Sequence, residues 1–231
     1  MAINNRLGAL IFRIILFIGC IIGIILNMFI DGNLSLSIFI YYTIQSNILC
    51  LVVISIVIID TIKKIKSNGT NGSNLCIPKI KGATTMAITI TFLVFHFMLR
   101  PTLFDMGLGD YATSPANFMV HYFTPIMFIM DYLLFDKKNN YGWKDPLTWI
   151  AIPLVYFVFS IIRAAIGGII RDTDSRYPYF FIDIDLYGWK VAFYVFGLIV
   201  FFLIVGYIIM FIDRIYYDNG LKLRRVKDKI K

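Results

Sequence analysis

Charge is what this sequence has least of. Asp, Glu, Lys and Arg together fill only 16% of the 231 positions, against roughly a quarter in an ordinary soluble domain. In their place stand 59% hydrophobic residues and a mean hydropathy of +0.77, which exclude a conventional soluble fold. Cysteine is scarce too: of the three, Cys20 and Cys50 fall in apolar runs and Cys76 in a lysine-bounded loop, so neither a disulfide framework nor metal-ligand spacing is present. No cofactor is expected. There is no clear internal repeat of the kind that transporters built on duplicated halves carry. No small-residue cleavage pattern follows the first apolar run, which is too long for a signal-peptide core and reads as an uncleaved span.

What is there is a set of apolar runs, each close to the roughly 20 residues that cross about 30 Å of hydrocarbon. Six emerge between charges, Gly, Pro and Asn: 7–30, 36–62, 83–100, 116–135, 146–170 and 188–216. The expected fold is therefore an all-α, polytopic membrane protein, one six-helix transmembrane domain over residues 1–231. The net charge of +8 reads as a topology signal, with no nucleic-acid partner, because the basic residues alternate between connections. Lys63, Lys64, Lys66, Lys79 and Lys81 follow the second run; Lys137, Lys138 and Lys144 follow the fourth. The tail adds Lys222, Arg224, Arg225, Lys227, Lys229 and Lys231. The first connection has no Lys or Arg, the third carries Asp105 and Asp110, and the fifth mixes Arg171 and Arg176 with Asp172, Asp174, Asp183 and Asp185. Lys and Arg stay on the cytoplasmic side, so both termini are expected there. Tyr41, Tyr42, Tyr111, Tyr122, Tyr177, Tyr179 and Trp189 then mark the outer interface, and Trp143, Trp149, Tyr216 and Tyr217 the inner one.

Polar groups inside these runs are costly, because hydrocarbon offers them no water. The stretch 117–131, NFMVHYFTPIMFIMD, places His121, Pro125 and Asp131 in one span. The second span opens with Tyr42-Thr43-Ile44-Gln45-Ser46-Asn47, in which Thr43, Ser46 and Asn47 share a helix face. Interhelical hydrogen bonding is the ordinary use of such residues. His96 and Arg100 lie at i and i+4 in the third span, with Pro101 expected to close that helix. Arg163 in the fifth lies too deep for easy snorkelling and is expected to face the bundle interior. Gly19-x-x-x-Gly23 in the first span permits close helix approach.

Depth can be compared along the spans. Thr43 lies about seven residues from the outer end of its span and His121 about five, so at about 1.5 Å per residue both are about 10 Å or less below the rim. Asp131 lies about 15 Å further in and reads as structural. A hydroxyl beside a neutral imidazole is the minimum pair for nucleophilic catalysis, the imidazole taking the proton as the hydroxyl attacks an acyl carbon. A satisfied packing network is the competing reading of the same residues.

Three motifs in order, Thr43 within YYTIQSN, His121-x-x-x-Pro125-x-x-x-x-x-Asp131, and the run Tyr177-Pro178-Tyr179-Phe180-Phe181-Ile182-Asp183, make the chain resemble the androgen-induced membrane protein family and its bacterial six-helix relatives. The animal members are transmembrane threonine hydrolases of fatty acid esters of hydroxy fatty acids. By that resemblance Thr43 is the nucleophile and His121 the general base, and the partners are a lipid or fatty-acyl ester and the bilayer itself. The YTIQSN form is similar to the bacterial branch, which implies a bacterial plasma membrane. Around the pair, Gln45, Asn47 or Arg163 is expected to meet the oxyanion. Ser46 and His96 add polar contacts, and Tyr179 and Asp183 belong to a lid. A lipid acyltransferase and a small-solute or ion transporter are the alternatives.

Overall fold

The computed structural model describes residues 2–30, 33–73, 75–170 and 173–230, with side chains described for all of these except 30 and 217–230. Arg171, Asp172, the Tyr217 side chain, the basic side chains of the tail and Lys231 therefore lie outside the described residues. The protein is helical almost throughout. The long elements are α1 (Arg6–Met28), α2 (Tyr42–Asn68), α3 (Pro78–Asp105), α4 (Pro115–Phe135), α5 (Asp145–Ile166) and α6 (Val191–Ile230). Between α1 and α2 lie a two-residue antiparallel pairing of Phe29–Ile30 with Asn33–Leu34 and a 3₁₀ turn, Leu36–Ile40. Among the described residues, five stretches are long and apolar enough to cross a membrane: α1, α3, α4, α5 and Ile184–Tyr216. A multi-pass membrane protein requires such spans.

The helix starts follow local chemistry. Asn5 caps α1, its side chain accepting from the Gly8 N–H at 2.9 Å. Ser114 caps α4 by accepting from the Asn117 N–H, with Pro115 next, where its missing N–H costs nothing. α2 ends at Gly69, whose φ of 73° suits glycine. The ends differ from those expected: α2 runs on to Asn68, α3 starts already at Pro78 and α6 extends from Val191 to Ile230, and three further differences have local causes. α2 begins at Tyr42, because the preceding residues turn as a separate 3₁₀ segment. α3 runs through Pro101 to Asp105, because a wider turn ahead of the proline relieves its clash with the preceding carbonyls. α5 stops at Ile166, where Gly167 is extended.

Contacts between helix ends show an up-and-down arrangement. The Ile3 N–H donates to the Leu134 carbonyl and the Arg6 N–H to that of Thr70, while Lys79 pairs with Asp145. One end of the bundle thus gathers the starts of α1, α3 and α5 with the ends of α2 and α4, and with them most of the lysines. Apolar clusters fill the interior, two of them the largest among the described residues. Leu16, Val53, Ile54, Ile88 and Phe128 pack between α1, α2, α3 and α4. Met86, Tyr132, Trp149, Val205 and Met210 pack between α3, α4, α5 and α6. The Gly19-x-x-x-Gly23 pair works within this bundle: Phe123 covers Gly19, and a Cβ at Gly23 would lie 2.9 Å from that of Met119.

Towards the lysine-rich end lies a buried charge quartet. Arg13 Nε donates to Asp131 at 2.8 Å and Arg13 Nη1 to the Thr61 hydroxyl at 2.8 Å. Lys81 bridges Asp131 and Asp136, the second contact at 2.6 Å, and Arg13 Nη2 lies 3.5 Å from Asp136. Arg13 and Asp131 are both fully buried. Two cations against two carboxylates leave no net charge, which is the condition for burying them. Asp131 is thus tied to α1 and α3 rather than to the backbone near Pro125. Lys81, expected as a loop charge, is an interior residue of α3.

Removing one member leaves its partners charged and unpaired. Asp131→Ala is expected to lower stability by about 3–5 kcal/mol, read as thermal unfolding of the detergent-solubilised protein. Asp131→Leu combined with Lys81→Met keeps the Arg13–Asp136 pair and should recover more than half of that loss.

Candidate active site

Two prolines shape the site. A proline inside a helix leaves the carbonyl four residues back without its donor, and both α3 and α4 answer with a π-helical turn just before it. In α3 the turn is Phe95–Leu99, closed by the Arg100 N–H donating to the Phe95 carbonyl, ahead of Pro101. In α4 it is Met119–Phe123, closed by the Thr124 N–H donating to the Met119 carbonyl, ahead of Pro125. Such turns push a side chain out of the regular helical register and are frequent at functional sites. Here each carries one of the protein's two histidines. The two turns face each other, with the His121 ring stacked on that of Phe95 at 3.7 Å and 17° and His96 Nδ1 3.0 Å from the Tyr122 hydroxyl.

Thr43 Oγ1 stands 3.1 Å from His121 Nε2, and both residues are buried. His121 Nδ1 stands 3.1 Å from the Asn117 carbonyl oxygen. A carbonyl oxygen only accepts, so Nδ1 carries the ring proton, Nε2 bears a lone pair, and the Thr43 hydroxyl donates to it. The orienting group is the helix's own backbone one turn earlier. Asn117 is itself held by its side-chain amide, which donates to the Tyr111 carbonyl at 2.7 Å. Asn47 fixes the spacing of the two helices: its amide donates to the Thr43 carbonyl at 2.7 Å and to the Val120 carbonyl at 3.0 Å. On the far side of the α4 turn, the bare Gly19 and Gly23 surface of α1 receives Phe123 and Met119.

The Thr43 side of this pair borders an apolar cavity of about 720 Å³ between α2, α3, α5 and α6. Its walls include Ile90, Phe95, Tyr156, Leu198 and Phe202, while His121 sits behind Thr43 rather than in the wall. The segment 177–183 closes one side by contributing Tyr179, Phe181 and Ile182. Burial pushes the Tyr179 phenol above its ordinary value, offset in part by the nearby polar groups of Thr43 and Tyr42. At neutral pH the group is protonated. Tyr179 packs against Tyr41 and Tyr156 and stacks on Phe181 at 5.2 Å.

The expected site residues divide. Thr43, His121 and Tyr179 come together. Ser46 is adjacent, its hydroxyl 2.9 Å from the Thr43 carbonyl and 2.7 Å from the Thr91 hydroxyl, so it braces α2 against α3. Asn47 touches both sides of the pair, but both of its amide hydrogens serve backbone carbonyls, which leaves none for an oxyanion. Gln45 turns away and donates to the Phe39 carbonyl at 3.0 Å. His96 lies beside Tyr122, outside the cavity wall. Arg163 is not a deep interior charge: with α5 ending at Ile166, it sits in the last turn and donates to the Arg176 carbonyl at 2.7 Å. Asp183 is the cap of the 184–187 turn, accepting from the Leu186 N–H at 3.0 Å and from the Ser175 hydroxyl at 2.5 Å. It shapes the loop without lining the cavity. Phe95 and the Asn117 carbonyl are the contributors that sequence reasoning missed. Pro101 and Pro125, each a few residues after a histidine, were the available signal.

No protein-family model matches this chain, and no characterised protein and no solved structure matches it either. The class defined by fold and site is a helical membrane bundle with a buried hydroxyl–imidazole pair facing an apolar cavity.

With two histidines in the chain, ¹⁵N NMR can read the pair directly. His121 is expected as the Nδ1–H tautomer with a hydrogen-bonded Nε2. Thr43→Val should move the Nε2 resonance towards the unbonded value while Nδ1 stays protonated. A ring protonated on Nε2 in the wild type would contradict the geometry.

Proposed function

We propose that the protein is an intramembrane carboxylic ester hydrolase acting on fatty-acyl lipids, with Thr43 as nucleophile and His121 as general base. The observation that carries this reading is the chain of hydrogen bonds Thr43 Oγ1–H to Nε2 and Nδ1–H to the Asn117 carbonyl, which holds a base aimed at a hydroxyl on the wall of an apolar cavity. Resemblance to the androgen-induced membrane protein family supports the same two roles and names the substrate class: fatty acid esters of hydroxy fatty acids, or similar acyl lipids. The topology belonging to this reading has six spans, with α2 as the sixth beside the five most apolar stretches, and both termini on the cytoplasmic side. The site then lies in the outer half of the membrane.

In the first half-reaction Thr43 Oγ1 bonds to the acyl carbon as its proton passes to Nε2. Negative charge develops on the former carbonyl oxygen. The donor available to it is the Tyr179 hydroxyl, on the same cavity wall as Thr43. As the tetrahedral species collapses, the imidazolium gives its proton to the departing alkoxide and an alcohol leaves. In the second half-reaction water attacks the acyl-threonine, His121 takes its proton and returns it to Thr43 Oγ1, and a carboxylic acid is released. The stack on Phe95 holds the ring plane through both steps.

A fluorophosphonate probe is expected to label the wild-type protein at Thr43, and Thr43→Ala and His121→Ala to abolish labelling. Turnover of a fatty acid ester of a hydroxy fatty acid should fall at least about a thousandfold in either variant. Labelling that survives both substitutions would sink the mechanism. Tyr179→Phe, which keeps the ring and removes the donor, should lower kcat by about a hundredfold with KM nearly unchanged.

A further inference from the structure

A buried ester site needs a route for its substrate, and hydrocarbon chains reside in the bilayer. Beside the cavity lies a second hollow of about 670 Å³ between α2 and α5, bordered by Gln45, Ser46 and Leu49 on one helix and Ala151, Ile152 and Val155 on the other. It is distinct from the cavity, yet Tyr42 and Tyr156 belong to the walls of both. Those two rings meet edge to face, with centroids 5.1 Å apart. They form a partition one aromatic layer thick between the two spaces.

Each ring is hydrogen-bonded through its hydroxyl, Tyr156 to the Ile40 carbonyl at 3.1 Å and Tyr42 to the Ala87 carbonyl at 3.4 Å, and Tyr156 also packs against Phe159 and Tyr179. The second of these hydrogen bonds is long for a hydroxyl donor. The α5 side of the hollow is apolar and uncovered: Val155, in its wall, is 69% exposed. On a helix that crosses a membrane, such a residue faces acyl chains. Thr43 follows Tyr42 directly, so a chain passing the partition arrives beside the nucleophile.

The geometry points to the α2–α5 hollow as a lateral portal through which one acyl chain of a bilayer lipid enters the cavity, with Tyr42 and Tyr156 as its gate. This rests on reading the cavity as an acyl-chain site. The cavity also makes the portal selective. A charged head group is costly to draw into the apolar cavity, whereas a linear acyl chain is not. The ester therefore stops at the threshold near Thr43, with its chain in the cavity and its remainder in the hollow or the membrane.

The test uses the full-length protein in phosphatidylcholine vesicles containing a small fraction of phosphatidylcholine with a diazirine at the end of one acyl chain. A tethered chain reaches the cavity only sideways. After irradiation, mass spectrometry should find label on cavity residues such as Leu198, Ile199 and Phe202 in the wild type. Thr43→Ala should give the same yield, because entry needs no catalysis. Val155→Trp and Ala151→Trp fill the hollow from exposed positions and should each reduce cavity labelling at least tenfold. Val158→Trp, on the same helix but outside the hollow, should not. An unlabelled cavity in the wild type, or undiminished labelling in both filled variants, overturns the portal. Failure of the hydrolase reading would show separately, as absent fluorophosphonate labelling beside intact lipid labelling.

Discussion

Hydrocarbon will not solvate a charge, and that constraint decides how this bundle is put together. Arg13 on α1 must find a carboxylate inside the protein, and it finds Asp131 on α4 while its other nitrogens reach Thr61 on α2 and Asp136. Lys81 brings α3 to the same two carboxylates. One neutral cluster thus sets how four helices stand against one another. Apolar side chains alone would leave helices free to slide, since lipid tails are as apolar as leucine. The outer half of the bundle, where Thr43 meets His121, is built on helices already fixed at the other end.

At the outer end the same logic works with hydrogen bonds. Proline deprives a helix of one donor, and the π turns before Pro101 and Pro125 turn that loss into a displaced side chain on each helix. The two displaced turns then supply each other's partners, Phe95 to His121 and Tyr122 to His96. Asn47, buried and fully used, locks the α4 turn to the start of α2. The site is held mainly by the long helices, and segment 177–183 adds Tyr179, Phe181 and Ile182 to the cavity wall.

Much of this was legible in the sequence. Long apolar runs name their own spans, and the fixed rise of a helix puts Thr43 and His121 at one depth. The pair follows once the helices face the right way. Facing is what the sequence withholds. Lys81 stands three residues from the start of α3, two after Lys79, whose exposed ammonium pairs with Asp145, and nothing in its neighbours reveals that its own stem turns inward. Pro101 reads as a stop because an isolated helix would break there, whereas here a π turn absorbs it. Asn47 and Asp183 were expected near substrate for their polar atoms, but a buried polar atom first satisfies the backbone around it. Arg163 seemed deep only because the helix was drawn four residues too long.

The partner that orients His121 is a peptide carbonyl, and this makes the site unusual to dissect. In hydrolases that use a carboxylate for this purpose, one amino-acid replacement removes it. Here every residue placed at position 117 brings the same oxygen, so a substitution scan of the chain would leave the third member of the relay invisible. In the proposed mechanism no counter-charge waits for the imidazolium, which would then exist only between one proton transfer and the next. A base supported in this way suits a medium in which a lasting ion pair would be harder to keep than a transient one.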